Sequence, residues 1–166
     1  GLLAYLGRQW SLDVRDRNPL KVRWTSEQHL MDMHFYTDAF EYRESRLLRS
    51  LVRKLRKNGK QACDPFDAWN DSMDLVIDLA KAHVDRQIMA ACVEALEECD
   101  ESLRPICHAV FSLHALTAIQ DNAGWYLTFG YFAPEKSKAI WEEINKLCSL
   151  LAPFSDSIVD AFGIPE

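Results

Sequence analysis

Asp38-Ala39-Phe40-Glu41-Tyr42-Arg43-Glu44-Ser45-Arg46-Leu47-Leu48-Arg49-Ser50-Leu51-Val52-Arg53-Lys54-Leu55-Arg56-Lys57 repeats apolar residues every third or fourth position over about five turns. Phe40, Leu47, Leu48, Leu51, Val52 and Leu55 fall on one stripe at helical spacing, while Arg43, Arg46, Arg49, Arg53 and Arg56 lie mostly off it. That is the pattern of an amphipathic helix laid on a core. Cations toward its C-terminal end suit the helix dipole, and Asn58-Gly59 stops it.

The same period recurs in every long segment. Asp64-Pro65 opens a second helix, with Asp64 as N-cap and Pro65 where a missing N–H costs nothing. Its stripe runs Trp69, Met73, Val76, Ile77, Ala80, Val84, Ile88, Ala91, Ala95 and Leu96. Unbroken to Cys99, it is about 50 Å long. A third helix is expected from about Leu103 to Trp125, with Ser102 as candidate cap and a stripe of Ile106, Val110, Leu113, Leu116 and Ile119 or Gln120. A fourth starts at Pro134-Glu135 and carries Ile140, Ile144, Leu147 and Leu151. Pro153 breaks it before a last segment, Ser155 to Phe162, which Gly163 closes. No segment alternates with the period of a strand. The expected fold is all-α: an up-and-down bundle of four or more long helices joined by short loops. Its core should contain Leu47, Leu51, Val76, Ala80, Val84, Ile88, Val110, Leu113, Ile140, Ile144 and Leu147.

Upstream, residues 11–35 are irregular, with Asn18-Pro19 as a turn and Trp24, Leu30, Met31, Met33 and Phe35 as anchors onto the core. Gly1-Leu2-Leu3-Ala4-Tyr5-Leu6 reads as the last turns of a helix without a start signal. The whole, 1–166, is expected to be a single helical domain, a fragment of a larger chain. Residues 1–35 supply a helix tail and long connection, and 36–166 the bundle.

The net charge of −6 is unevenly spread: residues 1–60 carry 13 Lys/Arg against 7 Asp/Glu, and residues 61–166 carry 6 against 18. A chain acidic over most of its length is a poor general nucleic-acid binder. No apolar run approaches the roughly 20 residues of a membrane span. Five cysteines, an odd number without paired spacing, read as reduced thiols in an intracellular compartment.

Catalytic signatures are missing. Di-iron bundles need a Glu three residues before a His, and no His here has one. Cys92, Cys99 and Cys107 are too far apart for a zinc finger. There is no Gly-rich phosphate loop and no nucleophile elbow. His83 and His114 lie beside apolar stripes on different helices and can face one another, though a hydrogen-bonded core role is the plainer reading. Asp78, Asp85 and Asp121 read as solvated or helix-paired charges. No catalytic, cofactor-binding or metal-ligating residue is assigned.

Two clusters keep a functional reading. Within the basic band Arg43, Arg46, Arg49, Arg53, Lys54, Arg56, Lys57 and Lys60, the residues Arg46, Arg49, Arg53 and Lys57 share a broad face and form a candidate anion-binding patch. Like charges at this spacing repel unless neutralised. Asp67, Asp71, Asp74 and Asp78 of the second helix are the favoured neutralisers, and the phosphates of a coenzyme or nucleotide are the alternative. The other cluster, Trp125-Tyr126-Leu127-Thr128-Phe129-Gly130-Tyr131-Phe132, reads as a packed corner or interface in preference to a ligand channel.

Taken in order, Gly1-Leu2-Leu3, Asn18-Pro19, Arg23-Trp24-Thr25-Ser26-Glu27-Gln28-His29-Leu30, Asp38-Ala39-Phe40-Glu41-Tyr42-Arg43-Glu44-Ser45-Arg46-Leu47-Leu48, Pro134-Glu135-Lys136-Ser137-Lys138-Ala139-Ile140 and Val159-Asp160-Ala161-Phe162-Gly163-Ile164-Pro165-Glu166 resemble the C-terminal helical domain of the peroxisomal, FAD-dependent acyl-CoA oxidases. The resemblance implies a parent enzyme that oxidises an acyl-CoA to the trans-2-enoyl-CoA in fatty-acid β-oxidation. FAD accepts the hydride, a glutamate takes the α-proton, and O₂ reoxidises the flavin to give H₂O₂. In that family the glutamate and the flavin-binding segments precede this domain, so the fragment itself is expected to be structural and inactive. The resemblance further implies peroxisomal localisation, the rest of the parent chain as partner, and a second subunit in a homodimer. Related dehydrogenases cover one helical face by forming tetramers; a second bundle within the chain can cover a comparable face. The competing reading is a non-enzymatic helical protein-interaction module.

Overall fold

The computed structural model describes residues 22–58 and 64–163. The helix tail expected at Gly1 to Leu6 lies outside these residues. The elements are α1 (Glu27–Leu30), α2 (Met33–Asn58), α3 (Pro65–Asn70), α4 (Met73–Glu98), α5 (Arg104–Asp121), α6 (Ala123–Thr128), α7 (Pro134–Leu151), a 3₁₀ turn (Ala152–Phe154) and α8 (Ser155–Ala161). Strands are absent among the described residues. The fold is an all-α bundle built on α2, α4, α5 and α7, with α2 against α4, α5 against α7, and α5 also touching α2 and α4.

Each start has a local cause. Helix α2 begins at Met33, ahead of the expected Asp38, because the Asp32 carboxylate accepts the His34 N–H at 2.9 Å. Asp64 caps α3 as expected, accepting from the Phe66 N–H at 2.9 Å. The second expected helix is not continuous. Asn70, Asp71 and Ser72 are weak helix formers, and Ser72 leaves the helix at φ −107, ψ 3, separating α3 from α4. The third is likewise divided at Asn122 (φ −105, ψ 15) into α5 and α6. Its cap is Leu103 rather than Ser102, whose N–H instead bonds the Asp100 carboxylate at 2.8 Å.

The α2–α4 pair is antiparallel: Arg43 meets Asp85 at 3.2 Å, and Lys54, farther along α2, meets Asp74, earlier on α4, at 3.0 Å. Tyr36, Ala39, Phe40, Leu116, Ile119, Tyr126, Phe132, Ile140 and Leu147 form the centre of the core. Leu47, Leu51, Ile140, Ile144 and Leu147 are buried as expected. Val110 and Leu113 are only half-buried, because α5 turns Ala109, Ser112, Ala115 and Leu116 inward.

The largest correction concerns α4. Val84 is 53% exposed and Ile88 39%, Ala80 is exposed, and Val76 is half-buried. The buried positions of the helix are Ala82 and Met89. Apolar residues occupy two faces of α4, and charge selects between them. Asp85 and Arg86 stand beside the Ala82–Met89 face and meet Arg43 and Glu44 of α2. Turning Val84 and Ile88 inward would take Asp85 from Arg43, which is buried and needs its carboxylate. The outer stripe Trp69, Met73, Ile77, Val84 and Ile88 therefore stays exposed.

Candidate functional site

The candidate patch on α2 is divided. The Arg46 guanidinium lies 4.4 Å from the Phe129 ring centroid and 5.8 Å from that of Tyr42, a cation–π position turned toward the aromatic corner. Arg49 Nε donates to the Ser45 carbonyl at 3.4 Å. Arg53 and Lys57 are exposed at the C-terminal end of the helix. Of the four acids proposed as neutralisers, Asp74 meets the basic band, through Lys54. That ammonium, with the Leu75 N–H, holds the Asp74 carboxyl below its ordinary range. Farther up the seam Glu44 pairs with Arg86 and with His83, whose Nδ1 is 2.7 Å from its carboxylate. His83 is thus engaged with α2, and His114 lies exposed on α5.

The aromatic run is a packed corner. Tyr126 and Phe132 are buried with ring centroids 5.4 Å apart, and Tyr131 lies 4.6 Å from Tyr42 of α2. The Tyr126 hydroxyl donates to the Ala39 carbonyl at 3.1 Å and the Tyr42 hydroxyl to the Phe129 carbonyl at 3.3 Å. The reversal is a Schellman motif: Tyr131 N–H bonds the Tyr126 carbonyl at 2.9 Å, and Gly130 N–H the Leu127 carbonyl at 3.0 Å. Gly130 holds φ +68, which a Cβ would strain. Burial pushes the Tyr126 phenol well above its ordinary pKa.

A third place emerges only in three dimensions. A cleft of ≈ 260 Å³ is lined by Trp24, His29, Asp32, His34, Asp38 and Lys136, among others. Trp24 stacks on His29 with centroids 4.6 Å apart and planes 6° from parallel. Lys136, 2% exposed, places Nζ 2.8 Å from His29 Nε2 and 4.1 Å from the Phe35 ring centroid. An ammonium can only donate, so in this contact His29 Nε2 is the acceptor. The cleft is formed where two stretches distant in sequence, Arg23 to Leu30 and Pro134 to Ile140, meet. Nothing in their spacing pairs them.

Neither this cleft nor an apolar groove of ≈ 330 Å³ beside α8 matches FAD. A dinucleotide needs a larger cavity with a cradle for its pyrophosphate. The first is small and mixed in charge, and the second is lined almost wholly by apolar side chains. The described residues hold no group of three or more His, Cys, Asp or Glu arranged for a metal. No described helix is long and apolar enough to cross a membrane.

Comparison with known proteins agrees with this architecture. The family model described as acyl-CoA oxidase matches residues 32–166. The chain is 34% identical to peroxisomal acyl-coenzyme A oxidase 2 of Arabidopsis thaliana over 98% of its own length and 24% of that protein's. A putative acyl-coenzyme A oxidase of the same plant is 26% identical, over 98% of this chain and 87% of the relative. The crystal structure of acyl-CoA oxidase 3 from Yarrowia lipolytica superposes with a TM-score of 0.72 at 19% identity, covering 89% of this chain and 21% of that one. The chain thus spans about a quarter of the first of these relatives.

Proposed function

The chain belongs to the acyl-CoA oxidase family, and we propose that it is the C-terminal helical domain of an enzyme converting acyl-CoA to trans-2-enoyl-CoA with FAD and O₂, releasing H₂O₂. The activity belongs to the parent protein, in the peroxisome and as a homodimer. The domain's share is structural: it buries apolar surface and braces the walls of a flavin site built by other residues.

The observation that carries this reading is the outer face of α4. Phe66, Trp69, Met73, Ile77, Val84 and Ile88 form an exposed stripe along α3 and α4. An apolar strip of this length is unusual on a free monomer. The full-length Arabidopsis relative is about four times as long as the matched region, since that region is 24% of it. We assign the stripe's cover to the preceding part of the same polypeptide. Facing α2 and α5, the bundle fixes the orientation of α4 through the Arg43–Asp85 pair and so presents the stripe as one surface.

The test is direct. Full-length protein carrying this sequence should purify yellow, release FAD on denaturation, and produce H₂O₂ from long-chain acyl-CoA. Residues 1–166 alone should produce none above a protein-free control. Full-length protein that binds no flavin and yields no peroxide would instead favour a non-enzymatic helical protein-interaction module.

A further inference from the structure

We propose that Cys99 and Cys107 form a reversible dithiol–disulfide pair that peroxide closes. The turn between α4 and α5 brings them together. The N–H groups of Leu103 and Arg104 both return to the Asp100 carbonyl at 3.0 Å. The Asp100 carboxylate accepts from the N–H and the hydroxyl of Ser102, each at 2.8 Å. The Arg104 guanidinium donates back to the Cys99 carbonyl at 3.2 Å. Cys99, the residue that ends α4, is thereby set against Cys107 in α5. The Cys99 thiol donates to Cys107 Sγ at 3.8 Å.

This contact differs from an isolated thiol. A disulfide requires an S–S distance of about 2.05 Å, so the sulfurs need to approach by about 1.8 Å. Both residues are half-buried, and Cys107 also lines the apolar groove formed with Leu103, Val110, Phe111, Ile158 and Phe162, from which a molecule as small as peroxide reaches it. Cys92 and Cys148 are free as well, but neither has a sulfur contact among the described residues. Burial, and after it the neighbouring Cys99, holds the Cys107 thiol above its usual range.

The chemistry balances with one hydroperoxide as oxidant. One sulfur, as thiolate, attacks a peroxide oxygen and breaks the O–O bond, giving a sulfenic acid and, after proton transfer, water. The second sulfur attacks the sulfenic sulfur; the S–S bond forms and hydroxide leaves, taking the remaining thiol proton as a second water. The two sulfurs lose two electrons and the peroxide gains both. An oxidase activity would generate this oxidant in place, but the pair rests on its geometry and not on that activity. The new bridge ties the end of α4 to α5 across the Asp100–Leu103 turn.

The experiment is a thiol map of the full-length protein. Reduced, desalted protein is treated with a few equivalents of H₂O₂, alkylated and digested without reductant. The expected result is the loss of two alkylatable thiols and a peptide joining Cys99 to Cys107, two hydrogens lighter than its parts and separated again by dithiothreitol. In Cys107→Ser, a dimedone-type trap should label Cys99 and the joined peptide should vanish. Persistence of both thiols under peroxide, or a bridge from either to Cys63, Cys92 or Cys148, would overturn the proposal. Because peroxide is added from outside, the map reads the same whether or not the protein is an oxidase.

Discussion

Helices α7 and α4 are both long, both flank the core, and answer differently to the same test of periodicity. On α7 the apolar residues Ile140, Ile144, Leu147 and Leu151 make one stripe, and all four are buried. On α4 they make two. The stripe through Val84 and Ile88 is the more regular in sequence, yet it is the one left outside. Spacing identifies an inward face only when a helix has a single apolar face. Where it has two, something else chooses, and here it is the pairing of Asp85 with buried Arg43 and of Arg86 with Glu44.

The sharpest way to break this contrast is truncation on each helix. Ile140→Ala and Leu147→Ala should each cost about 2–5 kcal/mol in urea unfolding of residues 1–166. Val84→Ala in the same chain should fall within about 0.5 kcal/mol of wild type. Equal losses would mean that Val84 is inside and the orientation of α4 is wrong.

A second test uses pH and reads the inner side alone. Burial raises the phenols of Tyr36 and Tyr126 above their ordinary 10.0. An unfolded chain releases those protons above pH 10 while the folded chain keeps them, so the unfolded state then binds fewer protons. Stability is fully present below pH 10 and falls as pH rises beyond it, by up to about 1.4 kcal/mol per pH unit for each phenol. Urea midpoints measured on either side of pH 10 should show the decline. Tyr126→Phe should make it shallower, leaving the share of Tyr36, at the cost of the bond to the Ala39 carbonyl.

Much of the bundle was legible because it is local. The cap at Asp64, the first-turn proline of α7, the stop at Gly163 with φ +60 and the stripe of α7 all follow from residues a few positions apart. The α4 face was not legible, because Asp85 and Arg86 choose it through partners forty-two residues away. The cleft of His29 and Lys136 was hidden for the same reason, its two halves being 107 residues apart. On α2, Arg53 and Lys57 could be read as exposed cations, but not that Arg46 would turn to Phe129.

The corner beside α7 gives a smaller effect. Gly130→Ala should destabilise the chain by about 1–2 kcal/mol, since its φ of +68 is costly for a residue with a Cβ. Gly124→Ala, at an ordinary helical position with open space around it, should be neutral or slightly stabilising. The difference between these variants in thermal melts isolates the backbone contribution.

The smallest effects are expected at the exposed end of α2. Coenzyme A or ATP titrated against residues 1–166 should show no salt-sensitive binding at micromolar concentrations, and Arg49→Ala/Arg53→Ala should change nothing measurable. Binding that weakens with salt and disappears in the double variant would make the patch a phosphate site. It would also show that α2, like α4, reserves a face for something other than this bundle.

The break at Ser72 gives the outer stripe two different lifetimes. Helix α4 is held along its length by α2 and α5, whereas α3 has six residues, no buried position among those described, and an Asp64 cap. A six-residue helix does not persist by propensity alone. In amide exchange, Asn70 N–H should therefore lose protection far sooner than the middle of α4, through local opening that leaves the core shut. Phe66 and Trp69 then ride on a segment that can unwind and settle again on the surface it meets, while Val84 and Ile88 wait on a rigid one.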